Sequence, residues 1–231
     1  MRKHEKSSRR PGLAGAERRT RGSSQNAAAT KEYKYTFDDF CFLVSDGQKG
    51  DLIDGVNNMA SPENIGANRR FLWLAHLMGD VSEETDQGDV FGSRVAFRLS
   101  DQNSPEPDLA FVKKARLRLM RRGFFNGRPD VAMEIVCPES IQRDYETKRA
   151  LYEAAGVPEY WISDEMQQKI TLLRLAANGK YREVKPRNGE LHSTVLRGFW
   201  LRPEWLWQDP LPRKRDVLQQ MLDRLDPPAK P

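Results

Sequence analysis

"RPDVAMEIVCPES", residues 128–140, decides the fold. Val131, Ala132, Met133, Ile135, Val136 and Cys137 form a near-continuous apolar run broken by one carboxylate, Glu134. Such a run fits a strand buried on both faces. A lone carboxylate in a dry interior costs several kcal/mol unless something pairs with it or binds it. The strand therefore asks for a partner to Glu134.

The pattern around it is α/β. "RDYETKRALYEAAG" (143–156) predicts a helix with Gly156 as its stop signal. "EYWISD" (159–164) and "KITLLRL" (169–175) predict a hairpin, and "KYREVK" (180–185) an edge strand. Upstream, "YKYTFDDFCFLV" (33–44) leads into a helix capped by Thr36, and "DLIDG" (51–55) is a strand running into a turn at Gly55. Residues 62–79 carry Ile65, Phe71, Leu72, Ala75, Leu77 and Met78 at helical spacing. "SRVAFRLS" (93–100) and "PDLAFV" (107–112) predict two more strands. Residues 216–225 predict a short closing helix. The expected architecture is a mixed sheet with helices on its faces.

Alternation in 159–164 places Tyr160 and Ile162 on one face and Trp161 and Ser163 on the other, a packing pattern. Phe199, Trp200, Trp205 and Trp207 read as core or dimer contacts.

Composition narrows the classes. The chain has 231 residues, 38% hydrophobic and 31% charged, with a net charge of +5. Residues 1–31 hold nine basic against two acidic side chains, a balance of +7, so the rest of the chain sits near −2. This Arg/Ser/Gly/Ala-rich stretch is expected to be a disordered basic tail. It reads either as an arm for nucleic acid or as a solubilising extension. The expected domain covers 32–212, followed by a C-terminal helix and tail over 213–231. The apolar stretch Phe71–Met78, interrupted by His76, falls far short of the roughly 20 residues of a bilayer span. Two cysteines, Cys41 and Cys137, cannot form a disulfide framework and read as reduced thiols of a cytoplasmic protein. His4, His76 and His192 are too scattered for a zinc site. No phosphate-cradling Gly loop, dinucleotide fingerprint or Ser/His/Asp set is present.

Two carboxylates are candidates to join Glu134. Asp130 lies four residues away on the same strand, roughly 13 Å at about 3.3 Å per residue, too far to share a cation whose oxygen ligands lie about 2.0–2.6 Å away. Asp108 starts a different strand and converges on Glu134 if the two strands pair. On the following helix, Lys148 shares the apolar face of Tyr145, Leu151 and Tyr152 and points inward or snorkels along the edge. The plainer alternative pairs it with Asp144, one turn earlier, on the solvent side. An Asp, a Glu and a Lys converging on one point suit phosphodiester hydrolysis. The carboxylates bind Mg²⁺ or Mn²⁺, the ion activates water and neutralises charge, and the lysine orients that water or stabilises the pentacoordinate state.

The segment 129–164 closely resembles the Uma2 family, a restriction-endonuclease-like branch of the PD-(D/E)XK nuclease superfamily. The resemblance rests on Glu134, the turn Cys137-Pro138-Glu139-Ser140, Asp144, Lys148 and Gly156-Val157-Pro158-Glu159-Tyr160-Trp161. "DLIDG" and "PDLAFV" match in order upstream, and the likeness extends over about 33–207. It implies a central four-stranded mixed sheet flanked by helices and metal-dependent cleavage of DNA. Metal ligands would be Asp108 and Glu134, and Asp51 a supporting carboxylate. The superfamily's usual lysine, two residues after the Glu, is here Val136. The resemblance implies its replacement by Lys148 on the next helix. Asp51 stands where the family commonly has Glu, Asn68 where it often has His, and Cys137 where it usually has Ser. Nucleases of this fold often act as dimers, so a homodimer is part of the same expectation.

Between the two acidic strands, "KKARLRLMRRGFFNGR" (113–128) carries seven basic residues and no acid. Lys113, Lys114, Arg116, Arg121 and Arg122 are candidate phosphate contacts. The alternative is a solvated connector. Two functions follow: a metal-dependent endonuclease, or a nuclease-fold protein that binds nucleic acid or a protein partner without cutting.

Overall fold

The computed structural model describes residues 33–44, 48–60 and 64–225. The basic tail expected over 1–31 lies outside them.

The chain opens with α1 (Phe37–Leu43), whose Thr36 and Asp39 form a reciprocal capping box. The strands β1 (Gly50–Ile53) and β2 (Val56–Met59) make an antiparallel hairpin. Its turn residues Asp54 and Gly55 have φ of 50° and 72°, the positive values that a tight hairpin turn needs and that Asp-Gly tolerates.

The long helix α2 (Ile65–Glu84) is capped by the Asn64 side chain, which accepts from the Ala67 N–H. It buries Trp73, Leu74, Leu77, Met78 and Val81. Val81 continues the apolar stripe by one more turn, which is why the helix outruns the expected end at residue 79.

Then come β3 (Gly88–Gly92), β4 (Ala96–Phe97), β5 (Leu109–Lys113), β6 (Met120–Arg121), β7 (Phe124–Phe125) and β8 (Val131–Val136). The strand expected over 93–100 shrinks to Ala96–Phe97. A bend follows it, in which the backbones of Leu99 and Ser100 donate to the Asn103 carbonyl, and this ends the extended run.

The expected helix 143–156 forms in two parts: a wide π-type turn over Arg143–Lys148, continued by α3 (Arg149–Ala154). The chain closes with β9 (Glu159–Asp164), β10 (Lys169–Leu175), β11 (Tyr181–Val184), β12 (Leu191–His192), β13 (Trp200–Leu201) and α4 (Lys214–Asp223).

The main sheet is mixed, in the order β11-β10-β9-β8-β5-β3. It has six strands rather than four, because β3 adds antiparallel to β5 at one edge and β11 adds to β10 at the other. The pair β8–β9 is parallel, and its crossover is the helix carrying Lys148.

One face of the sheet, through Val131, Met133, Trp161 and Leu172, packs on α2, α4 and the C-terminal aromatics Phe199, Trp200 and Trp205. The other face, through Ala132, Val136, Tyr160 and Ile162, packs on Tyr152 of α3. The alternation read from 159–164 is therefore the division between two cores. Val217 and Met221 of α4 are buried in the first of them.

Gly88 is fixed by a close approach: a Cβ there would lie 2.0 Å from the Val112 carbonyl oxygen of β5. Backbone cannot yield as a side chain end can. Gly88→Ala is expected to cost about 1–3 kcal/mol, read as a lower urea midpoint with unchanged slope.

Candidate active site

Antiparallel pairing of β5 with β8 sets Leu109 opposite Met133. Continuing that register by one residue puts Asp108 opposite Glu134, on the sheet face that α3 covers. This is the convergence that strand pairing allows for Asp108 and that distance along the strand denies to Asp130.

Lys148 reaches in from the helix and is 1% exposed. Its Nζ lies 2.9 Å from Glu134 Oε1 and 3.0 Å from Asp51 Oδ2. The Tyr152 hydroxyl donates to the same Glu134 oxygen at 2.9 Å. Asp51 is locked from its other side, accepting from the Glu106 N–H at 2.8 Å. Asp108 accepts from the Ile135 N–H at 2.7 Å and is ion-paired to Lys49.

These groups border a narrow cleft of about 60 Å³, lined by Lys49, Asp108, Glu134, Arg143, Asp144 and Lys148. Helix α2 adds Asn64 and Ala67 to the wall, β8 and its turn add Ile135, Cys137 and Ser140. Asn68 is exposed in the first turn of α2.

Asp144 is not on the solvent side of its helix. It is 2% exposed, and its Oδ1 has no hydrogen-bond partner. Asp144 stands four residues before Lys148 and shares its side of the helix, so both face the sheet.

Electrostatics divides the roles. Burial alone would discharge Lys148, but the Asp51 and Glu134 carboxylates more than offset it and hold the ammonium protonated. Lys148 is thus a fixed positive charge and not a proton acceptor at neutral pH. Burial pushes the Glu134 carboxyl well above the usual range, with Lys148 pulling it back. Burial likewise raises Asp144.

Glu106, beneath Asp51, is raised by burial from 4.5 to about 7, against the pull of the Gly50 N–H. Between those values the folded chain keeps a proton that the unfolded chain has released. The contribution of Glu106 to stability therefore falls as pH rises through about 4.5 to 7. Glu106→Gln is expected to flatten that part of the stability–pH curve, measured by urea unfolding at several pH values.

Every donor atom facing the cleft from Asp108, Glu134 and Asp144 is a carboxylate oxygen, the ligand type of a hard cation. The orphaned Oδ1 of Asp144 adds an acceptor without a donor. Among the described residues, no three His, Cys, Asp or Glu side chains close into a metal cage. Mg²⁺ is usually held by one or two carboxylates together with waters and substrate phosphates. The donor set fits such an ion.

The basic segment is placed differently from the reading of its charges. Asp108 immediately precedes β5 and Lys113 ends it, about 16 Å further along at about 3.3 Å per residue. Lys113 and Lys114 therefore sit at the far end of the strand from the cleft. Lys114 is bound to Asp86. Arg116 pairs with buried Asp130 at 2.9 Å and lies over Phe125. Arg121 donates to the Arg118 and Met120 carbonyls, and Arg122 is exposed beside Phe124. Asp130 also accepts from the Lys113 N–H and pairs with Arg128, so it ties the basic segment to the sheet.

Arg143 faces the cleft beside Lys49 and Lys148. It is half-buried, 3.6 Å from Asp51, with its Nε lacking a hydrogen-bond partner. Sequence reading missed Arg143 and Lys49. Tyr152 was visible only as part of an apolar stripe, although its spacing of four from Lys148 puts it on the same face.

The family model described as "Uma2: Putative restriction endonuclease" matches residues 35–204. The chain belongs to the Uma2 family. Its fold is that of a solved structure from Anabaena variabilis, titled as a putative nuclease belonging to DUF820. The two agree with a TM-score of 0.63 at 16% identity, over 74% of this chain and 97% of that one. No curated protein matches the chain. Within this Uma2 protein the matched span takes in the sheet, the crossover helix and every cleft residue named above. Among the described residues, no helix is long and apolar enough to cross a membrane.

Proposed function

We propose that this Uma2 protein is a divalent-metal-dependent endonuclease that hydrolyses DNA phosphodiester bonds. The observation that carries the reading is the single cleft in which Asp108 and Glu134 stand side by side, with Lys148 bridging Glu134 to Asp51. Asp108 and Glu134 would hold Mg²⁺ or Mn²⁺. The ion, when bound, supplies Lewis acidity to a phosphodiester and lowers the pKa of water.

The chain's own groups do the rest. The Ile135 N–H and the Tyr152 hydroxyl fix the two carboxylates in orientation. Lys148, held protonated, orients the attacking water and stabilises negative charge on the pentacoordinate phosphorus. Asp51 keeps Lys148 in place, and Arg143 offers an unfilled donor to the phosphate.

A second reading has its own observation. Both candidate metal ligands are already ion-paired, Asp108 to Lys49 and Glu134 to Lys148. That pattern favours a nuclease-fold protein that binds nucleic acid or a protein partner without cutting.

Incubation with supercoiled plasmid and with single-stranded DNA separates the two. The first reading expects nicking or fragmentation with Mg²⁺ or Mn²⁺ and none with EDTA. DNA binding without cleavage under every metal condition would favour the second.

A further inference from the structure

Among the buried donors without an acceptor, two meet at one place: Nε of Arg70 and the indole Nε1 of Trp207. An unsatisfied buried donor costs about 1–3 kcal/mol, so such groups normally meet a protein group, a water or an ion. Both residues line one cavity of about 250 Å³, rimmed by Arg69, Glu165 and Asp209.

Arg70 is 8% exposed, and one of its terminal nitrogens is held by Glu165. Its guanidinium lies 6.0 Å from the centroid of the Trp207 ring. The group is therefore fixed, with its Nε edge left over. Arg69 and Asp209, 3.6 Å apart, are both exposed, a pair that parts at little cost. Both donor atoms are buried, so an acceptor reaches them as the exposed Arg69–Asp209 pair parts.

Its position relates it to the cleft. Gly66, Arg69 and Arg70 come from the same turns of α2 that give Asn64 and Ala67 to the cleft wall. One helical turn rises about 5.4 Å. Glu165 follows Asp164, which pairs with Val136 at the end of β8, two residues beyond Glu134. Cavity and cleft open at the same end of the sheet.

We propose that this cavity binds a backbone phosphodiester of the bound nucleic acid, next to the one in the cleft, through Arg70 Nε and Trp207 Nε1. The inference rests on the nucleic-acid reading above. A diester suits the charge: two arginines face two carboxylates, so a monoanion is tolerated where a dianionic phosphate monoester meets more repulsion. Arg and neutral N–H donors are also the common partners of backbone phosphates.

The test uses the full chain in EDTA and labelled oligonucleotides, each with one neutral methylphosphonate linkage, read by fluorescence anisotropy. Trp207→Phe keeps the ring and loses the N–H, and Arg70→Lys keeps the charge and loses Nε. Each is expected to weaken binding of the all-phosphate strand roughly five- to tenfold. At one linkage, the neutral substitution weakens wild-type binding about tenfold and barely affects either variant, because the contact is already gone.

If the losses multiply at every linkage, or Trp207→Phe binds like wild type, the cavity holds water only and the proposal fails. Cleavage with Mg²⁺ is scored in parallel. A chain that cuts without this coupling loses the inference and keeps the nuclease reading. A chain that shows the coupling without cutting does the reverse. Absence of any oligonucleotide binding overturns both.

Discussion

Glu134→Gln is expected to lower metal-dependent cleavage at least about a thousandfold, ~4 kcal/mol of transition-state stabilisation. The change keeps the shape of a buried side chain and its hydrogen bond from Tyr152. It removes the charge that would face the ion and Lys148. Because the loss falls on groups that act at the reacting phosphate, it should appear in kcat with little change in DNA affinity measured in EDTA. Single-turnover rates on a plasmid substrate check this. A variant that still cuts at a wild-type rate would remove Glu134 from the chemistry.

Lys148→Met carries the second large effect, and it is first an effect on stability. Lys148 is buried between two carboxylates that are themselves almost fully buried. Removing one partner of a buried ion pair leaves uncompensated charge and costs about 3–5 kcal/mol, read as a shift of the urea midpoint. Cleavage should be lost as well, since no other group replaces the fixed positive charge beside Glu134. A bound cation would partly replace that charge. Mn²⁺ should therefore raise the melting temperature of the variant more than that of the wild type. An unchanged midpoint would contradict the buried pairing.

Much of this site is written in period-2 and period-3.6 patterns. The apolar run 131–136 with a charge at Glu134, and the inward face shared by Lys148 and Tyr152, are both readable because side-chain direction follows from residue spacing. The Asp108–Glu134 convergence is readable once β5 and β8 are taken as neighbours.

Four features were not legible. Lys49 precedes β1 and meets Asp108 only through the tertiary approach of the hairpin to the sheet, which local pattern does not encode. The wide turn over 143–148 was not readable either, since helical periodicity assumes 3.6 residues per turn. The position of the basic segment was not legible, because charge says nothing of direction. Its lysines leave the end of β5 opposite the cleft, and Asp130, set aside as a metal partner, anchors Arg116 and Arg128. The edge strand β3 was not read, because an edge partner depends on tertiary register rather than on its own sequence, whereas β11 at the other edge was expected over 180–185.

The central claim is that Asp108 and Glu134 share one divalent ion. A crystal structure of the wild-type protein soaked in Mn²⁺, with anomalous data, tests it most directly. The account predicts one peak in the cleft, within about 2.0–2.6 Å of a carboxylate oxygen from each of the two residues, with Lys49 turned away from Asp108. A cleft without a peak at saturating Mn²⁺, with the Lys49–Asp108 and Lys148–Glu134 pairs intact, would contradict it.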